Sequence, residues 1–156
     1  MKKRIKIFTG KIHSGKTTKL FNYINSLNSV DGILAPIVND KRMLFHISTK
    51  TMKEFEVDNG NANTINIGQY YFLEKSFIWA NEKLIESYLK NPDLLIIDEI
   101  GKLELMHKGL YKSFKFILDD KNNFNTKIII VARESLLKEL IEFYNLNEDD
   151  YDFILI

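Results

Sequence analysis

Two stretches of this sequence place chemically useful residues at telling spacings. The first runs Gly10-Lys11-Ile12-His13-Ser14-Gly15-Lys16-Thr17-Thr18 and fits the pattern G-x-x-x-x-G-K-[ST]. A loop of this kind turns backbone N–H groups inward around phosphate oxygens, and its glycines permit the dihedrals and the close approach. Lys16 supplies a point charge for terminal phosphates, and the Thr17 hydroxyl can ligate Mg²⁺. The second stretch is Asp98-Glu99, which closes the apolar run Leu94-Leu95-Ile96-Ile97. Carboxylates at the carboxyl end of a buried parallel strand suit Mg²⁺, an oxygen-seeking ion that keeps several waters. Asp98 is assigned to that metal, through water, and Glu99 to orienting or deprotonating an attacking water. An acidic pair alone could equally be a solvated strand end. Its pairing with a phosphate loop in one chain favours the functional reading.

Arginines stabilise charge on a transferring phosphoryl group, and the chain has only Arg4, Arg42 and Arg133. Arg133 directly follows the apolar strand Lys127 to Ala132, which puts it on the sheet edge of the phosphate loop. It is the candidate for the γ-phosphate. Arg42 lies in an irregular segment and reads first as a solvated strand residue, second as a lid. Arg4 starts the first strand, at the wrong end. Lys102 and Glu104 fit either support of the metal site or a solvated helix start. The His13 side chain is expected to face solvent, and His46 and His107 receive no metal role.

These residues need a scaffold, and the hydrophobic pattern supplies one. Arg4 to Thr9 reads as a strand and Thr17 to Leu27 as a helix, with Leu20, Phe21, Ile24 and Leu27 on one face. Val30 to Val38 reads as a strand broken by Pro36. Two alternating runs, Met43 to Ile47 and Glu54 to Val57, form an expected antiparallel pair, and Ile65 to Ile67 a further strand. Helical spacing covers Phe72 to Lys90, Gly109 to Asp119 and Glu134 to Tyr144, with Trp79 as a packing residue in the first. The four apolar residues before Asp98 look like a central parallel strand, as does Lys127 to Ala132; Phe153 to Ile156 would add a last one. Alternating strands and helices predict an α/β fold with a mostly parallel central sheet, helices on both faces, and a small antiparallel extension over residues 38–67.

Composition narrows the partners. A net charge of +1 gives no global electrostatic case for nucleic acid or an anionic membrane. The absence of cysteine excludes disulfides and thiol chemistry. No apolar run approaches the roughly 20 residues of a membrane span, and the basic start runs straight into a strand. The expectation is one cytoplasmic domain over residues 1–156 with no identified protein partner.

The run Leu94 to Leu105, LLIIDEIGKLEL, resembles the signature of the small P-loop nucleoside-triphosphatases of the cancer-related type, and Ile67-Gly68-Gln69-Tyr70 ahead of a helix is similar to that family too. With the phosphate loop, the resemblance spans Ile5 to about Ala132. It implies a P-loop fold and Mg²⁺-dependent hydrolysis of nucleoside 5′-triphosphates to diphosphate and phosphate, with loose base selectivity. Gly10, Gly15, Lys16, Thr17, Asp98 and Glu99 match its motifs and inherit the nucleotide, metal and catalytic roles. A small-molecule or nucleotide kinase would share all these residues, but usually adds an arginine-bearing lid. A nucleotide-timed binding module would share them as well. No asparagine-lysine-x-aspartate run is present to read guanine.

Overall fold

A continuous apolar run is stable in water only when both faces of its strand are covered. The computed structural model describes residues 3–11, 15–61, 63–123 and 125–154. In chain order the elements are β1 (Ile5–Gly10), α1 (Lys16–Ile24), β2 (Val30–Leu34), β3 (Ile37–Val38), β4 (Lys41–His46), β5 (Thr51–Glu54), β6 (Glu56–Val57), β7 (Thr64–Ile67) and β8 (Tyr70–Leu73). Then come α2 (Glu74–Leu89), β9 (Leu94–Ile100), α3 (Lys102–Leu105), α4 (Tyr111–Asp119), β10 (Lys127–Arg133), α5 (Leu137–Phe143) and β11 (Tyr151–Phe153). A 3₁₀ turn, Glu134–Leu136, leads into α5.

The main sheet runs β11-β1-β10-β9-β2-β4-β3, with β5 also paired to β4. Its first five strands are parallel. From β4 onward the pairing is antiparallel. The strands β6, β8 and β7 make a separate antiparallel sheet. The α/β architecture with a mostly parallel sheet and an antiparallel extension is as the sequence predicts.

Side-chain alternation along the central strands splits the core in two. Leu95, Ile97, Ile128 and Ile130 join the cluster that α2, α4 and α5 cover. Ile96, Ile129 and Val131 join Leu20 and Ile24 of α1 on the other face. Burying one such side chain contributes about 1.5–3 kcal/mol, so the helices are held by this stripe rather than by their short local sequences. Where the extension meets α2, His46 is buried and joins three elements: Nε2 lies 2.8 Å from Ser87 Oγ and 3.2 Å from Asp31 Oδ1, and Nδ1 lies 2.7 Å from Thr49 Oγ1. Trp79 packs edge-on against the same imidazole.

Several predicted boundaries shift. The second helix begins at Glu74, not Phe72, because Tyr70–Leu73 is a strand folded back on β7 through Gly68-Gln69. The run Glu54 to Val57 splits at Phe55, which is buried between the rings of Phe72 and Phe77, and its halves serve different sheets. The first helix stops at Ile24, and Phe21 and Leu27 are 40% and 37% exposed, so only Leu20 and Ile24 form its buried face. The helix expected from Gly109 starts at Tyr111, and the last strand is Tyr151–Phe153, with residues 155 and 156 outside the described residues. Among the described residues no helix is long and apolar enough to cross a membrane.

β2 lies against β9 with Gly32 paired to Ile96. Gly32 has φ of 128°, and a Cβ there would collide with the Ile96 carbonyl oxygen. Gly32→Ala should therefore destabilise by several kcal/mol, of the order seen for overpacking combined with backbone strain. A urea melt checks this; an unchanged midpoint would show that β2 does not need the close approach.

Candidate active site

The site forms where the two motifs meet at the carboxyl edge of the parallel sheet. β9 and β10 stay in register up to the pair Ile97–Ile130, and the next pair is Ile100–Ala132. Asp98 and Glu99 thus face Val131 alone, a β-bulge of the kind that re-aims side chains. Glu99 completes the bulge with φ of 65°, a left-handed conformation uncommon outside glycine and asparagine. The bulge leaves Asp98 fully inside the protein and Glu99 partly open to solvent.

Asp98 Oδ2 accepts two hydrogen bonds, from the Thr17 hydroxyl at 2.9 Å and from the Ala35 N–H at 2.9 Å. Its other oxygen, Oδ1, is buried and has no hydrogen-bond partner among the described residues. Burial, and next the charge of Glu99, push its pKa up to about 6. Gly15 takes a left-handed φ of 78°, and among the described residues no side chain caps α1. Lys16 Nζ donates to the Lys11 carbonyl at 2.8 Å. Burial lowers its pKa, against the opposing pull of Glu99 and Asp98; Arg133 and Arg42 are near enough to add to the lowering.

The three arginines separate cleanly. Arg133 pairs with Gly10 across β10 and β1, at the edge the sequence assigns to it. Arg4 is at the far end, bonded to Tyr88 and to the carbonyls of Ile117 and Asp120. Arg42 is not a solvated strand residue. The β3–β4 hairpin turns through Asn39-Asp40, both at positive φ, and returns Arg42 beside Ile37. Its guanidinium donates to the Ala35 carbonyl at 2.7 Å and meets Glu99 Oε1 at 3.4 Å. The Asn-Asp turn between apolar runs was the signal for this placement. The Ala35 amide left none, because a backbone group has no sequence signature. Glu104 is not solvated: it is buried, and its carboxylate accepts the N–H groups of Gly101 and Leu110 at 2.8 and 3.0 Å, fixing the turn after β9. Burial raises its pKa.

The structure thus gathers Gly15, Lys16, Thr17, Asp98, Glu99 and Arg133 at one edge; Thr18 and Lys11 adjoin them as exposed residues. Ile12, His13 and Ser14, read as phosphate-loop residues, lie outside the described residues. Two hollows open there. One, of about 410 Å³, is bordered by residues 15–18, Arg42 and Glu99, with an apolar rim of Phe21, Ile37, Phe45 and Met52. The other, of about 90 Å³, also touches Lys16 and Glu99 and reaches buried Leu44, Phe55, Phe77 and Leu110.

A family model described as NTPase matches residues 5–154. The nucleoside-triphosphatase THEP1 of Sulfolobus acidocaldarius is 34% identical over 165 residues, covering 99% of this chain and 92% of the relative. The crystal structure of THEP1 from Aquifex aeolicus superposes with a TM-score of 0.76 at 21% identity, covering 96% of this chain and 88% of that one. The solution structure of a human cancer-related nucleoside triphosphatase gives 0.70 at 20% identity, covering 98% and 88%. The two structures share the P-loop fold, and the extent of the sequence matches shows that the chain belongs to the NTPase family.

Proposed function

We propose that this protein hydrolyses nucleoside 5′-triphosphates to the diphosphate and phosphate, with Mg²⁺ and little selectivity for the base. The observation that carries the reading is the contact between the two motifs: Asp98, from the second, holds the Thr17 hydroxyl of the first at 2.9 Å while its own Oδ1 stays buried and unpartnered. A buried carboxylate oxygen with no donor is what a cation, or a water on a cation, would satisfy. The residues therefore fit Mg²⁺, with Thr17 and Asp98 holding it. Bound there, the ion would neutralise charge on the phosphate oxygens.

The chain's own groups do the rest. Residues 10–18 bind the phosphates through backbone amides, with Lys16 offsetting charge that builds toward the leaving diphosphate. Glu99 orients the attacking water and takes its proton, and Arg42 holds the Glu99 carboxylate in place. Arg133 faces the γ-phosphate from β10. The apolar rim of the larger hollow offers faces to a base without side-chain amides to read its edge, which supports loose selectivity. A cytoplasmic setting accords with the cysteine-free composition.

Phosphate release from a panel of nucleoside triphosphates tests the reading. Glu99→Gln should lower turnover on the order of 10²–10⁴-fold, as expected for loss of a general base, while nucleotide affinity stays within a few-fold. Full turnover in that variant would remove Glu99 from the chemistry, and no release from wild type would sink the hydrolase itself.

Asp98 gives a second test, in stability. Its pKa is about 6 in the folded protein against about 4 unfolded. Between those values the folded form holds more protons, so ionising this group lowers stability as pH rises through the window. The loss is on the order of 2–3 kcal/mol, at about 1.4 kcal/mol per pKa unit. Asp98→Asn carries no such charge. In EDTA its melting temperature relative to wild type should rise by several degrees between about pH 4 and pH 8. Mg²⁺ at pH 8 should then stabilise wild type but not the variant. A pH-independent difference would contradict the buried-carboxylate reading.

A further inference from the structure

The two hollows share only Lys16 and Glu99 among the described residues that line them. Those two side chains therefore border both spaces. The larger space carries the phosphate-loop residues 15–18 and can take a nucleotide. The smaller one starts at Lys16, Glu99 and Arg133 and is walled further in by Leu44, Phe55, Phe77 and Leu110, all buried.

A hydrolase needs room for one water on that side of Glu99. One water needs about 10–15 Å³ of cavity, and this one offers about 90 Å³. The buried carboxylates of Asp98 and Glu104 also reach this cavity, but most of its wall is aliphatic or aromatic, and such surface accepts apolar guests. The extension builds that wall deliberately: Phe55 sits at the break between β5 and β6, and Leu44 on β4 turns inward to meet it. A molecule that filled the space would have an apolar body among these side chains and a polar end at Glu99 and Lys16.

We propose that this cavity is a second ligand site, for a small alcohol with an apolar body, and that its hydroxyl can replace water as the acceptor of the γ-phosphoryl group. The proposal rests on the nucleotide site assigned above. The alcohol oxygen forms the new bond to the γ-phosphorus. The bond from that phosphorus to the β,γ-bridging oxygen breaks, and the nucleoside diphosphate leaves with the electron pair. The hydroxyl proton passes to the Glu99 carboxylate and then to solvent. The products are a phosphate monoester and a nucleoside diphosphate, and no oxidant or reductant is required. Glu99 would then serve water and alcohol alike, and the occupant of the cavity would decide between them.

The test is partitioning. Wild-type protein is incubated with a nucleoside triphosphate, Mg²⁺ and an excess of ethanol, 1-propanol or isobutanol, with glycerol as the alcohol that lacks an apolar body. Phosphorus NMR separates inorganic phosphate from phosphate monoester, and saturation-transfer NMR reports alcohol binding. The expected result is monoester from at least one apolar alcohol and none from glycerol. Leu110→Phe and Leu44→Trp, which add atoms to the cavity wall, should each lower the ratio of monoester to phosphate about tenfold, the order that a few methylenes command in an apolar pocket. Phosphate release with neither alcohol binding nor monoester across the panel would overturn the acceptor site and leave the hydrolase standing. Monoester formation that is indifferent to both wall variants would overturn it as well. Absence of any phosphate release without alcohol would instead count against the hydrolase.

Discussion

One carboxylate oxygen holds the site together. Asp98 Oδ2 takes a hydroxyl from the first turn of α1 and a backbone amide from the end of β2, and it is itself carried on β9. Three elements far apart in sequence are thereby fixed to one atom at the carboxyl edge of the sheet. Buried, charge-assisted bonds of this kind are stronger than neutral ones, and they bear on geometry as much as on stability. If Asp98 moved, the phosphate loop's threonine and the strand that starts the antiparallel extension would both lose their anchor. Its unpartnered second oxygen shows what the arrangement costs, because a fully satisfied carboxylate would have no capacity left for a ligand.

The extension is the other half of the design. β3 to β8 interrupt the strand-helix rhythm, yet they return side chains to the edge of the sheet where the two motifs meet. Arg42 comes back on the hairpin and grips Glu99. Phe55 and Leu44 come back as the wall of the inner cavity. The parallel core thus carries both sequence motifs, while the inserted strands shape the space around them.

Much of this was legible before any coordinates. The apolar runs before Asp98 and through residues 127–132 announce central strands, since nothing else buries four consecutive aliphatic residues so economically. The spacing of Gly10, Gly15, Lys16 and Thr17 announces the loop. What stayed hidden has physical reasons. Glu99's left-handed backbone and the bulge beneath it depend on pairing with β10, a long-range fact that no local pattern encodes. Phe72 and Leu73 read as the start of a helix because they adjoin the helical spacing that runs from Phe77; only the Gly68-Gln69 turn reveals a strand. Phe21 has helix spacing too, but its face looks onto the nucleotide hollow and not into the core. Glu104 resembles a solvated acid in the sequence, and becomes a buried clasp because Gly109 and the turn around it bring Leu110's amide within reach.

The left-handed conformation of Glu99 has a consequence for anyone selecting variants of this protein. A non-glycine residue held there carries strain on the order of 1 kcal/mol or more, and glycine would relieve it at no steric cost. A library screened for heat resistance alone would therefore enrich a robust scaffold in which the carboxylate had been traded away. On the role proposed for Glu99, durability and turnover pull this one position in opposite directions, and only a screen that reads both would keep the carboxylate.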